Sequence, residues 1–111
     1  MALPSSLGEF EQIVLLAILR LGEDAYGVGI RREIAACTQR EVSPGALYTT
    51  LDRLEKKGIV SALDGAPTPE RGGRAKRFYK VSKTGHTLLT EAQRSFQRLM
   101  TGLNLLEETH G

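Results

Sequence analysis

The side chains with the most chemistry to offer gather between Ser43 and Lys80. Eight lysines and arginines fall there (Arg53, Lys56, Lys57, Arg71, Arg74, Lys76, Arg77 and Lys80), against four acids (Asp52, Glu55, Asp64 and Glu70). That stretch carries +4 while the whole chain carries +2, so the remainder sums to −2. From Arg71 to Lys83 six basic residues follow one another with no acid between them. Guanidinium and ammonium groups in such a run suit phosphate oxygens, and contacts of that kind weaken as salt rises. A charge run is also the ordinary make-up of a solvated face, so the elements that carry it decide its meaning. Catalysis finds no comparable cluster. His86 and His110 have no nucleophile or paired carboxylates close by in sequence, and Gly72-Gly73 lacks the helix that a phosphate-cradling loop requires. Cys37 is the only cysteine. It cannot form an internal disulfide, and with two histidines it falls short of a zinc ligand set. It reads as a small buried residue on a helix. No enzyme, no metal and no cofactor are expected.

The elements that must position the cations are legible from periodicity. The chain has 111 residues, 41% of them hydrophobic and 25% charged, which suits one globular domain and excludes a disordered or fibrous chain. Residues 1–8 read as a flexible lead-in. From Glu9 to Leu21 the residues Phe10, Ile13, Val14, Ala17 and Leu21 keep helical spacing, and Gly22 ends the run. Leu15, Leu16 and Leu19 form a second apolar stripe on the same helix, which therefore expects two partners. Asp24 is placed to cap a second helix, about Ala25 to Thr38, with Tyr26, Ile30, Ile34 and Cys37 on one side. Gly27 and Gly29 weaken its first turn.

A third helix has clear punctuation: Ser43 as cap, Pro44 in the first position, Lys56 and Lys57 in the last turn, Gly58 as terminator. Leu47, Leu51 and Leu54 mark its inner side. The opposite side carries Gly45, Tyr48, Thr49, Asp52, Arg53 and Lys56, with no long aliphatic side chain among them. Two β-prone runs follow, Ile59 to Leu63 and Arg77 to Val81, and between them Gly65, Pro67, Pro69, Gly72 and Gly73 exclude helix. The result is a hairpin with a long basic tip. Ser82 caps a last helix reaching about Glu108, where Leu89, Ala92, Phe96, Leu99, Leu103 and Leu106 are spaced 3, 4, 3, 4, 3. That is a heptad seam, which Gly102 weakens. Together with the second stripe of the first helix it reads as a homodimer interface.

Helix, helix, helix, hairpin, helix is the order of a winged helix-turn-helix, a mainly α fold with a small β-hairpin, here followed by a C-terminal dimerisation helix. Residues 9–81 read as a DNA-binding domain and 82–111 as the dimerisation helix. Double-stranded DNA is the partner this order suits. The third helix would enter the major groove, with Gly45 admitting close approach and Ser43, Tyr48 and Thr49 bonding phosphates or base edges. Arg53 and Lys56 would reach phosphates, and Arg71, Arg74, Lys76 and Arg77 the flanking minor groove or its backbone. A winged-helix module that binds protein and never touches DNA is the alternative; it would want an acidic or apolar outer face and a short wing.

The stretches LGEFEQIVLLAILRLGEDAYGVGI, SPGALYTTLDRLEKKGIV and GGRAKRFYKVSKTGHTLL resemble the PadR-like family of bacterial transcriptional regulators. The resemblance runs from about Leu7 to Leu106 and is most specific at Gly45-Ala46-Leu47-Tyr48, Gly73-Arg74 and Phe78-Tyr79. It implies a dimeric repressor whose first and last helices form the interface, with Tyr48, its neighbours and the wing on operator DNA; a reduced cytoplasm is the location that the lone cysteine suits. Two departures stand out. Thr49 occupies a position where the family often has proline. Asp52 puts a negative charge on the outer face, either to accept from a cytosine amino group or to orient Arg53. Tyr26 stands where relatives approach a phosphate, or else packs in the core. Some members of the family hold a small-molecule effector between subunits; Phe10, Phe96 and Met100 would either line such a pocket or pack in the core. No membrane partner is expected, since the apolar run Ile13 to Leu19 is far shorter than a span.

Overall fold

A computed structural model describes residues 7–65 and 76–105. Four helices, α1 (Glu9–Leu21), α2 (Gly27–Thr38), α3 (Pro44–Lys56) and α4 (Lys83–Met100), accompany a hairpin of β1 (Val60–Asp64) and β2 (Arg77–Val81), which packs mainly on α1 and α3. The strands pair antiparallel, in register from Val60 opposite Val81 to Asp64 opposite Arg77. The α1–α2 connection lies along the hairpin edge, where Tyr26 bridges Phe78 and the Tyr79 N–H donates to the Ala25 carbonyl at 2.8 Å. Among the described residues no helix is long and apolar enough to cross a membrane.

The core forms where the inward sides of α1, α2 and α3 meet. Val14, Leu15, Ile18, Ile30, Ile34, Leu47, Leu51, Leu54 and Ile59 are fully buried. Leu15 thus belongs to the core of a single chain, whereas Leu16 and Leu19, placed on the same stripe by the sequence, face out. A helix turns 100° per residue, so adjacent leucines need not share a fate.

Three further expectations are corrected. Asp24 does not cap α2: it closes a 3₁₀ turn, Gly22–Asp24, and its backbone carbonyl accepts from the Tyr26 N–H. Tyr26 takes the cap position with no side-chain bond, so α2 starts two residues late. Cys37 is exposed rather than buried, its thiol 3.5 Å from a Glu33 carboxylate oxygen. Helix α4 stops at Met100, because Gly102 turns the chain at φ +87°, and Leu103 lies beyond the last turn. A glycine that only weakens a helix in isolation here ends it.

The junction of hairpin and α4 is tight. Ser82 Oγ accepts from the Gly85 N–H at 3.0 Å and donates toward the Gly58 and Ile59 carbonyls. Gly85 lies so close to the residue before β1 that a Cβ there would stand 2.4 Å from the Ile59 carbonyl oxygen.

Candidate nucleic-acid interface

Helix α3 is fixed from both ends. Ser43 Oγ accepts from the Ala46 N–H at 3.1 Å, Pro44 opens the helix, and Gly58 leaves it at φ +74°. Leu47, Thr50, Leu51 and Leu54 turn inward; Thr50 was not read from the sequence as core. Gly45, Tyr48, Thr49, Asp52, Arg53 and Lys56 are all exposed along the other side. The space above Gly45 is open, so nothing in the protein obstructs a close approach to that first turn.

Tyr48 is held against α2. A Cβ at Gly27 would lie 1.9 Å from its hydroxyl oxygen, so the absence of a side chain at residue 27 lets the tyrosine cross the start of α2. The glycine that reads as a poor helix former thus leaves room for the end of the exposed Tyr48 side chain. Tyr26 is half-buried and meets Phe78 edge-on, ring centroids 5.8 Å apart. Lys76 Nζ sits 4.3 Å from the Tyr26 ring centroid, a cation–π contact at the base of the wing. The Gly65 N–H donates to the Lys76 carbonyl at 2.6 Å and closes that base. Arg71 and Arg74, with the rest of the tip, lie outside the described residues.

The cations are arranged differently from the sequence expectation. Asp52 pairs with Lys56 at 3.0 Å, not with Arg53. Arg53 Nε instead donates to Glu11 Oε2 at 3.4 Å, and Lys57 Nζ lies 3.6 Å from the same oxygen. Arg77 Nη2 donates to both oxygens of Glu55, at 3.0 and 3.2 Å, joining the wing base to α3. Glu11 is only 8% exposed. Burial would raise its pKa, but the Gly8 N–H at 2.8 Å and the Lys57 and Arg53 charges outweigh it, and the carboxyl titrates below its ordinary value. A group shifted down in the folded state stabilises the fold above its unfolded pKa, and that contribution fades as pH falls through the folded value. Glu11 was missed, although its signal was present. With Val14 and Ile18 it keeps the 3, 4 spacing of the buried side of α1, and a carboxylate on a buried side needs a cationic partner.

The expected pairing surface divides. Leu89 is buried within the chain and Ala92 half-buried, while Phe96, Leu99, Met100 and Leu103 are exposed together with Leu16 and Leu19. Leu106 lies outside the described residues. Phe10 packs on the core with the Arg40 guanidinium 5.9 Å from its ring centroid, whereas Phe96 and Met100 are exposed on α4. A groove of about 860 Å³ runs instead between the end of α1 and the hairpin, past Leu19, Leu63 and Phe78.

Two helices joined by a short turn and followed by an antiparallel hairpin define a winged helix-turn-helix. Residues 15–91 match the model of the transcriptional regulator PadR-like family. Transcriptional regulator Rv3488 of Mycobacterium tuberculosis is 35% identical over 94 residues, covering 82% of this chain and 83% of that protein. In fold, the chain is similar to a PadR family transcription regulator from Clostridium difficile R20291 (TM-score 0.68, 18% identity, 87% of this chain and 97% of that one). It is also similar to a PadR-like regulator from Bacillus cereus (TM-score 0.67, 23% identity, 87% and 89% coverage). The protein belongs to the PadR-like family of transcriptional regulators.

Proposed function

We propose that this protein is a homodimeric, sequence-specific DNA-binding repressor that acts in the cytoplasm without catalysis or a cofactor. Residues 9–81 form the DNA-binding unit and residues 82–111 the dimerisation element. One observation carries the reading: α3 turns all its leucines inward and presents an outer side of glycine, hydroxyl and cationic residues, interrupted by Asp52, which pairs with Lys56. A helix of that make-up fits the major groove, its first turn (Ser43, Gly45, Tyr48, Thr49) against base edges or phosphates and Arg53 and Lys56 against the backbone. The wing, residues 64–76, carries Arg71, Arg74 and Lys76 toward the flanking groove, with Arg77 at its base. Two copies joined through Phe96, Leu99, Leu103, Leu16 and Leu19 present two such helices to a pseudo-palindromic operator. The same interface is where a small-molecule effector would act, with Phe96 and Met100 nearest it.

Substitutions separate the roles. Arg74→Ala weakens binding to every duplex and flattens the salt dependence by about one unit of slope. Tyr48→Ala or Thr49→Ala costs about 1–3 kcal/mol on the preferred site and little on random sequence. Gel-shift titrations at several salt concentrations read both. Equal losses on all sequences for the α3 variants would remove α3 from base recognition, and an unchanged slope for Arg74→Ala would remove the wing from the backbone.

A further inference from the structure

We infer that Glu11 restrains phosphate-driven binding by occupying two cations, one on the recognition helix and one at its C-cap, and so sets how strongly the protein holds DNA of the wrong sequence. The inference rests on the DNA-binding reading above. Glu11 reaches from α1 to α3, a separation of 42 residues from Arg53, and its Oε2 serves both Arg53 and Lys57. Its other oxygen accepts the Gly8 N–H, so the carboxylate is anchored at the start of α1 rather than swinging on the surface. Its side chain is 10% exposed, against 50% for Arg53 and 39% for Lys57. The acid is thus buried and fixed while the cations remain open to a second partner.

That asymmetry has a consequence for affinity. A lysine or arginine adds to the salt dependence of binding in proportion to the positive charge it brings to a phosphate, by about 0.9 of slope for a full neutralisation on duplex DNA. Arg53 and Lys57 share one negative charge before DNA arrives, so together they bring less than their formal charge. Only the Arg53 Nε is bonded to Glu11, and among the described residues its Nη groups have no protein partner. The guanidinium can therefore meet one phosphate in a fixed orientation while its pull on phosphates elsewhere is reduced. Non-specific binding depends almost wholly on that pull, whereas base contacts through Tyr48 and Thr49 do not. Glu11 consequently lowers non-specific binding more than specific binding.

Glu11→Gln tests this on the full-length protein with a short duplex of random sequence. The glutamine oxygen can still accept the Gly8 N–H, so the helix start is kept while the charge is lost. Expected is a log K against log salt slope steeper by up to about 0.9, the share of the one negative charge that the substitution removes. Affinity for the random duplex should rise about tenfold in low salt. Glu9→Gln is the control: Glu9 lies on the same helix turn, is 82% exposed in its side chain and pairs only with Arg40 among the described residues. It makes the same change in net charge and should leave the slope within about 0.3 of the wild type. Glu11→Asp, which draws the carboxylate back and keeps an acid in the first turn, should fall between and serves if Glu11→Gln does not fold. Folded Glu11→Gln or Glu11→Asp with an unchanged slope, or Glu9→Gln steepening it equally, overturns the inference and leaves the DNA-binding reading intact. Wild-type protein that binds no duplex at any salt takes both down.

Discussion

Gly85→Ala should lower the stability of the folded chain by about 3 kcal/mol, at the severe end of what overpacking costs. The added methyl would stand 2.4 Å from the Ile59 carbonyl oxygen, 2.9 Å from Ile59 Cγ2 and 3.0 Å from Val81 Cγ1. The first of these is backbone, and it is committed: the same carbonyl accepts the Ser82 N–H at 2.8 Å and faces the Ser82 hydroxyl. Neither side can yield without lifting α4 from the hairpin and breaking the cap of α4. The better helix propensity of alanine returns only about 1 kcal/mol. Urea unfolding reads the change as a lower midpoint at unchanged slope. A loss under about 0.5 kcal/mol would mean that the junction is slack, and that α4 is not held at a fixed angle to the reading head.

On the pairing surface proposed above, Leu99→Glu should separate the two copies and reduce operator affinity by a factor on the order of 10²–10⁴. Leu99 is 75% exposed in the single chain, so a charge there leaves the fold intact. In a symmetric pair each substitution occurs twice on one self-complementary patch, and two carboxylates would be buried among Phe96, Met100 and Leu103. Each freed copy still carries a complete α3. What it loses is the second copy bound alongside, whose effective concentration on adjacent half-sites gives the dimer its advantage. Sedimentation equilibrium together with anisotropy titration checks both halves of the expectation. A variant that stays dimeric, or that becomes monomeric with undiminished affinity, would place the pairing surface elsewhere.

Much of this fold could be read from residue order because its local rules agree with one another. Ser43, Pro44 and Gly58 bound α3 where capping chemistry requires, and the β2 run Arg77–Val81 is the strand observed. What escaped the sequence depends on contacts between distant segments. Gly27 and Gly85 look like weak helix positions, yet each leaves room for another element to cross, the Tyr48 ring at one and the Ile59 backbone at the other. No local pattern announces that. The partners of the basic residues escaped for the same reason: Glu11 and Arg53 lie 42 residues apart, Glu55 and Arg77 lie 22 apart, and the nearby Asp52 paired with Lys56 in preference to Arg53. Cys37 and Leu15 show the limit of a helical wheel, which orders residues around an axis but does not say how wide a side the neighbouring helix covers.

Titration of the wild-type protein against labelled duplexes tiling the DNA beside its own gene, with a scrambled duplex as reference, tests the central claim most directly. The expected result is one pseudo-palindromic segment bound by two chains with a Kd of ~10⁻⁸ M or tighter at physiological salt, at least about 10³-fold tighter than the scrambled duplex. Equal affinity for scrambled and native duplexes, or binding by one chain at a time, would contradict it.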